Sequence, residues 1–169
     1  MILLVIALLL LPTAMVPRQE FYPVEKVELE ARDAGFPPQA RRAVVVTRTG
    51  GASPIKTLNV KIFEKETELK TVHVQYIVVY HNRDYVMAER KVDFDAYEAL
   101  WLELHRNRVF FLDSPAAGAK DKPTYIVRVK EVKKEKTFTV TDPEALDDKR
   151  YANVVGAVEA FWRDNLKIQ

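Results

Sequence analysis

Alternation of apolar and polar side chains governs the middle of the chain. Residues 58–63 alternate in this way, and the same period continues through 72–80, with 85–92 as the strand that follows the next connection. Side chains two positions apart lie on one face of a β-strand, so each run predicts a strand with one apolar face. The connection 81–84 contains Asn82, and asparagine tolerates the left-handed backbone that hairpin turns use. We therefore predict an antiparallel meander over this part of the chain.

Further strands are predicted on both sides of this meander. Residues 42–49 are rich in β-branched side chains and stop at Gly50-Gly51, which is typical of a strand that enters a turn. Residues 125–129 and 138–140 alternate again on either side of a Lys133-Lys134 turn, which predicts a second hairpin. Together with the meander, these runs predict about six strands.

Two stretches change to a period of three and four residues, which predicts amphipathic helices. Asp93 precedes the first stretch and is placed to cap it. The apolar positions are Phe94, Tyr97, Leu100, Trp101 and Leu104 in the first stretch, and Tyr151, Val154, Val155, Val158, Phe161, Trp162 and Leu166 in the second. These patterns predict an α+β fold, an antiparallel β-sheet of about six strands covered on one face by two helices. We expect Trp101 and Trp162 to be core residues.

The chain begins with an uninterrupted apolar run, residues 2–11, and Pro12 follows it. Such a run spans about half of the roughly 30 Å hydrocarbon core, so it is short for a transmembrane helix. We predict that residues 1–17 are a signal peptide or an N-terminal membrane anchor. No Lys or Arg precedes the run, so a buried or wrongly assigned N-terminus is the alternative. We therefore expect the protein to be exported or membrane-anchored, outside the cytoplasm, and to contact the membrane only through residues 1–17.

Prolines at positions 23, 37 and 38 mark the segment that follows, and we predict that residues 18–41 form an extended arm. Residues 42–169 are then long enough for a single α+β domain with one core. The formal net charge of the chain is only +2, and acidic residues interrupt the lysine-rich stretch 120–136. We therefore expect no nucleic-acid partner. The chain has no cysteine, which excludes disulfides and thiolate metal sites.

Residues that could carry chemistry are few and scattered. Ser53 and Ser114 are each followed by proline, and neither lies in a Gly-x-Ser-x-Gly turn. The three histidines, His73, His81 and His105, lack metal-ligand spacing, and we expect His73 to face solvent on a strand. The sequence singles out no pair of carboxylates for acid–base work. We therefore predict no catalytic residue, no metal site and no cofactor, and expect that the protein is not an enzyme.

Several segments together resemble the emfourin-like proteins, small inhibitors of thermolysin-type metalloproteases. Residues 44–52 resemble the opening strand and Arg-x-Gly-Gly turn of that family, and 94–112 resemble its central helix and the apolar segment after it. Residues 121–129 and 136–140 resemble its Asp-x-x-x-Tyr strand and the paired strand, and the terminal helix follows as expected. The resemblance implies a protease as partner, and it implies that Arg48, Thr49, Gly50 and Gly51 contact that partner.

Three functions remain open at this point. The first is a non-enzymatic, extracytoplasmic protein-binding domain, with inhibition of a metalloprotease as its most specific form. Binding would then use loops at one end of the sheet or an exposed edge strand. The second is a structural or assembly component of the cell envelope. The third is a carboxylate-dependent enzyme, such as a glycoside-acting hydrolase.

Overall fold

A computed structural model describes residues 22–116, 118–119 and 121–166, so the predicted leader, residues 1–17, lies outside the described part of the chain. The strands are β1 (Ala40–Thr49), β2 (Ile55–Lys65), β3 (Val72–Tyr80), β4 (Tyr85–Val92), β5 (Thr124–Glu131) and β6 (Lys134–Thr141). The α-helices are α1 (Val24–Arg32), α2 (Phe94–Arg106) and α3 (Arg150–Leu166). All strand pairs are antiparallel, in the spatial order β4-β3-β2-β1-β5-β6. This arrangement confirms the predicted α+β class and the six-stranded antiparallel sheet.

Helices α2 and α3 lie on one face of the sheet and bury the main core against it. Asp93 caps α2 as predicted, since its carboxylate accepts the backbone N–H groups of Asp95 at 2.7 Å and Ala96 at 3.3 Å. Trp101 and Trp162 retain 1% and 4% of their accessible surface, which confirms both as core residues. The apolar stripe of each helix therefore faces the sheet, as the helical period predicted.

The third helix, α1, was not predicted, and it packs on the opposite face of the sheet. Val27 and Ala31 of α1 form a small apolar cluster with Ile77 and Val79 of β3. The prediction of an extended arm over residues 18–41 is therefore wrong for residues 24–32, which form α1. The prolines flank α1 instead of interrupting it, because position 23 immediately precedes the helix and positions 37 and 38 follow its end.

Val109–Phe111, in the apolar segment after α2, forms a short 3-10 helix that places Val109 in the core. One local prediction also needs correction. In the β3–β4 turn, Arg83 adopts the left-handed backbone with φ 72°, while Asn82 accepts the Asp84 N–H through its side chain. Asparagine thus supports this turn from the neighbouring position. None of the helices in the described ranges is long and apolar enough to cross a bilayer.

Candidate functional site: an open strand edge beside a polar cleft

The two edge strands of the sheet differ in how far the rest of the chain covers them. Along β6, the Thr139 N–H donates to Ser114 Oγ at 2.9 Å, and Lys136 Nζ donates to Asp113 Oδ1 at 2.6 Å. The segment after α2 therefore runs beside the outer side of β6. No segment of the described chain pairs with the outer side of β4, which we call the open edge. Sheet edges that expose unpaired backbone groups are templates for another extended chain.

The register of β3 and β4 shows which residues present their backbone at the open edge. The Tyr80 N–H donates to the Asp84 carbonyl at 2.9 Å, so this pair is a hydrogen-bonded one. Hydrogen-bonded and non-hydrogen-bonded pairs alternate along an antiparallel ladder. The β4 residues that bond to β3 are therefore Val86, Ala88, Arg90 and Val92. The residues whose N–H and C=O groups point outward are Tyr85, Met87, Glu89 and Lys91.

Apolar side chains stand exposed on both faces of the open edge. Val86 is 43% exposed on the face that carries α2 and α3, and Met87 is 42% exposed on the α1 face. By contrast, Ala88 is half-buried and packs against the main core. A strand added to β4 would cover Val86 and Met87 together with the backbone.

A polar cleft of about 360 Å³ lies on the α1 face, directly beside the open edge. The residues that line it include Glu30 of α1, Asn59 and Lys61 of β2, Gln75 of β3, and Met87 and Glu89 of β4. Helix α1 is fastened above the start of β4, because Arg83 pairs with Glu25 and the Tyr22 N–H donates to Tyr85 Oη at 3.2 Å. The cleft lies between α1 and the strands β2, β3 and β4 that α1 crosses.

Asn59 lies at the base of the polar cleft and is completely buried. Thr47 Oγ1 donates its one proton to the Ala31 carbonyl at 3.3 Å, so it can only accept from Asn59, and Asn59 Nδ2 lies 3.0 Å from it. This bond directs the amide nitrogen of Asn59 toward β1. Oδ1 has no hydrogen-bond partner among the described residues.

His73 contacts Glu89, one of the residues that line the polar cleft. The ring is 4% exposed and stacks on Phe63 at 5.4 Å between centroids, so the expected solvent-facing position is wrong. His73 Nε2 lies 3.0 Å from Glu68 Oε2, and Nδ1 lies 3.3 Å from Glu89 Oε1. The hydrogen bond with His73 holds the pKa of the Glu68 carboxyl below its ordinary value. Glu89 also accepts from Gln75 Nε2 at 3.2 Å, so both of its oxygens are engaged.

The four residues predicted to contact a partner do not form one surface. Arg48 lies opposite Tyr125 on the face that carries α2 and α3, while Thr49 lies on the α1 face. Gly50 and Gly51 have φ values of 75° and 79°, and a Cβ on Gly51 would meet Pro123 at 3.3 Å. The two glycines are thus required by a turn that packs against the start of β5.

Tyr125, the cross-strand neighbour of Arg48, is part of the core contact with α3. Its hydroxyl donates to Glu159 Oε1 at 2.6 Å. Burial raises the pKa of the Tyr125 hydroxyl, and the hydrogen bond to Glu159 adds to this effect. Arg48 therefore borders a buried contact between the sheet and a helix.

The serines have structural partners in the fold. Ser53 Oγ accepts the Ile55 N–H at 3.2 Å, and Ser114 accepts from β6 as described above. Asp148, one of the acids before α3, pairs with Arg150, whose hydrogen bond lowers the pKa of the Asp148 carboxyl. No group of three or more His, Asp or Glu residues in the described ranges could hold a metal ion.

The sequence missed the residues of the polar cleft. Glu30, Asn59 and Gln75 belong to three different elements, and only the path of α1 across the sheet brings them together. The one available signal was Asn59 and Lys61 at alternate positions of β2, polar residues in a strand with neighbours on both sides.

Comparison of the chain with models of known protein families finds no match. No curated protein is significantly similar to it either.

Proposed function

We propose that this protein is a non-enzymatic protein-binding domain that accepts an extended segment of its partner along the open edge of β4. The unequal covering of the two edge strands carries this proposal, since β6 is lined by another segment and no segment among residues 22–116, 118–119 and 121–166 lines β4. Addition of a strand to a sheet edge is a recurrent mode of peptide recognition. Backbone pairing supplies general affinity, and the side chains beside it supply selectivity.

Backbone pairing alone would bind weakly. Tyr85, Met87, Glu89 and Lys91 each offer one outward N–H and one outward C=O. A hydrogen bond that replaces bonds to water contributes only about 0.5–1.5 kcal/mol net, and association has an entropic cost of several kcal/mol. The partner must therefore also cover the exposed Val86 and Met87 side chains and use the polar cleft. These contacts are what would distinguish one extended segment from another.

A proline substitution separates this proposal from other modes of binding. Met87→Pro removes one outward N–H and places a ring at the centre of the open edge, while the bonds between β3 and β4 remain. Thr137→Pro, on the other edge strand β6, is the matched control. The Thr137 N–H points away from the sheet, as the N–H of Thr139 does. The full-length wild type and both variants are immobilised and exposed to proteins from the membrane and extracytoplasmic fractions of the source.

We expect the wild type and Thr137→Pro to retain the same partner with equal affinity. Met87→Pro should bind that partner at least tenfold more weakly. Retention of the partner by Met87→Pro at unchanged affinity would exclude the open edge as the binding surface.

Inhibition of a metalloprotease outside the cytoplasm is the narrower form of this proposal, and the resemblance of residues 44–52 supports it. Thermolysin cleaving a fluorogenic peptide is a direct test, with the wild type, Met87→Pro and Arg48→Ala as inhibitors. Loss of inhibition in Met87→Pro alone would assign it to the open edge, and loss in Arg48→Ala alone would assign it to the glycine turn. No inhibition by the wild type at micromolar concentration would refute the inhibitor function and leave the binding proposal to the capture experiment.

A further inference from the structure

We infer that the open edge of β4 pairs with the open edge of a second copy of this chain, antiparallel and about a two-fold axis that passes through Met87. This inference rests on the proposed function, and it names the partner that supplies the extended segment. It follows from the register of the outward backbone groups, from the order of charges along β4, and from the apolar side chains that the open edge exposes.

The backbone register restricts where the axis can lie. In an antiparallel pair, residues that exchange hydrogen bonds stand directly opposite each other. The outward groups of β4 belong to Tyr85, Met87, Glu89 and Lys91, so these residues have to pair with one another. An axis between two neighbouring residues would set an outward residue against an inward one. The axis therefore passes through a residue of β4.

Charge excludes an axis in the second half of β4. Glu89 on the axis would face the same carboxylate of the other copy, and Arg90 on the axis would face the same guanidinium. Like charges directly opposite each other across a strand pair are destabilising. The axis therefore lies among the uncharged central residues Val86, Met87 and Ala88.

An axis through Met87 makes the charges along the open edge complementary. Asp84 of each copy then lies opposite Arg90 of the other, and symmetry produces this pair twice. Both side chains are exposed, and neither forms an ion pair within the described ranges. Opposite charges at facing positions stabilise a strand pair. An axis through Ala88 would instead set Arg90 against Val86.

The apolar side chains of the open edge also meet at this axis. Met87, which is 42% exposed, faces Met87 of the other copy, and Val86, which is 43% exposed, faces Ala88. An axis through Val86 would pair only residues 85–87 of the two strands, whereas an axis through Met87 pairs residues 85–89. The Met87 axis thus covers the exposed side chains together with the outward backbone groups beside them.

Two features near the open edge bear on whether a second copy fits. Arg83 lies opposite Lys91 of the other copy, which is a like-charge contact, but Arg83 already pairs with Glu25, whose carboxylate neutralises it. Helix α1 leaves room for the second copy, because Val27 and Ala31 pack on β3, inward of the open edge. Neither feature opposes the pairing.

Reversal of the Asp84–Arg90 pair tests the axis directly. Asp84→Lys and Arg90→Glu each place like charges opposite each other at two symmetric positions, and the double variant restores opposite charges with the signs exchanged. Lys133→Glu, on the exposed β5–β6 turn, is the matched change of charge away from the open edge. Sedimentation velocity of the full-length protein at increasing micromolar concentrations measures the dimerisation of each variant and of Met87→Pro.

We expect the wild type to dimerise, and the two single charge variants to dimerise about tenfold more weakly, since each changes two symmetric contacts. The double variant should return to within about twofold of the wild type, because the two changes compensate each other. Lys133→Glu should match the wild type, and Met87→Pro should stay monomeric. A wild type that remains monomeric, a double variant as weak as its single parents, or a dimer that Met87→Pro leaves intact would each overturn the inference.

Amide hydrogen exchange at two protein concentrations is an independent measurement. In the dilute monomer, the outward N–H groups of Met87 and Glu89 are open to solvent and exchange fast. In the dimer these N–H groups should become protected, while that of Ala88, which bonds to β3, stays protected at both concentrations. Exchange of Met87 that does not depend on concentration would contradict the pairing.

The outcomes for the second copy and for the proposed function can be told apart. If the wild type stays monomeric while Met87→Pro loses a different captured protein, the inference fails and the proposed function stands. If the wild type dimerises with the expected dependence on charge while Met87→Pro still retains that captured protein, the inference stands, and binding of another protein at the open edge is refuted.

Discussion

Proline substitutions at two adjacent positions of β4 test the register on which the open edge depends. The Ala88 N–H belongs to the ladder with β3, where Ala88 pairs with Tyr76. The Met87 N–H belongs to the outward set. Proline lacks this donor, so Ala88→Pro breaks a bond inside the sheet and Met87→Pro removes one directed at solvent. The two variants should therefore differ sharply in stability although they change neighbouring residues.

The magnitude follows from the groups that each proline leaves behind. Ala88→Pro loses a bond with a net contribution of about 1 kcal/mol and leaves an acceptor on the buried Tyr76 unpaired, which costs a further 1–3 kcal/mol or so. We expect a total loss of about 3 kcal/mol. Met87→Pro breaks no internal bond and replaces a side chain that is 42% exposed, so its cost should stay below about 1 kcal/mol.

Urea unfolding followed by far-UV circular dichroism measures both free energies of unfolding. For a chain of this size, a loss of 3 kcal/mol corresponds to a decrease in Tm of roughly 6–12 °C. Amide hydrogen exchange on the wild type gives an independent check, because Ala88 should be protected while Met87 and Glu89 exchange fast. Equal destabilisation by the two prolines, or a larger effect from Met87→Pro, would refute the assigned register and remove the basis for the open edge.

Three further predictions concern the core, the His73 cluster and the glycine turn. Trp101→Ala should cost about 3–5 kcal/mol in urea unfolding, because the ring is 99% buried, and a loss below 1 kcal/mol would contradict its core position. The lowered pKa of Glu68 stabilises the fold at pH above the ordinary value of 4.5, and this stabilisation is lost as pH falls through the lowered pKa. In His73→Gln the loss of stability in acid should be smaller, and unfolding curves between pH 3 and 6 measure it. Gly51→Ala should lower the free energy of unfolding by about 1–2 kcal/mol, because the backbone there has a φ of 79°. The matched control Gly35→Ala should change thermal stability little, because its added Cβ would meet no atom within 4 Å.

Alternation and helical period predicted the elements that bury one whole face. The two-residue period marked most of the strands, β-branched side chains marked β1, and the wide apolar stripes marked α2 and α3, because these elements share the main core. Helix α1 buries only a few small and branched residues, Val27 and Ala31 among them. Val24, Val27 and Ala31 do follow a helical spacing, but the segment is short and mostly polar, and the prolines around it favoured an extended arm. Recognising that they lie before and after the helix would have corrected the prediction.

The candidate site depends on contacts that no local pattern records. His73 alternates correctly for a strand, yet the loop that carries Glu68 covers it and makes it a buried residue. Likewise, Asn59 meets the polar cleft only because α1 crosses the sheet beside it. Strand identity can be read from a sequence, but the order of strands and the path of a short helix across them cannot, since both are set by contacts far apart in the chain.

The unequal edges of the sheet also limit how copies of this protein could assemble. A molecule with two free edges can join head to tail without end and form a fibre. Here β6 is lined by the segment that contains Asp113 and Ser114, so within the described part of the chain only β4 lacks a neighbouring segment. Joining two copies through β4 uses the same edge of each molecule and leaves none for a third. Edge-to-edge association therefore closes at a two-fold symmetric pair.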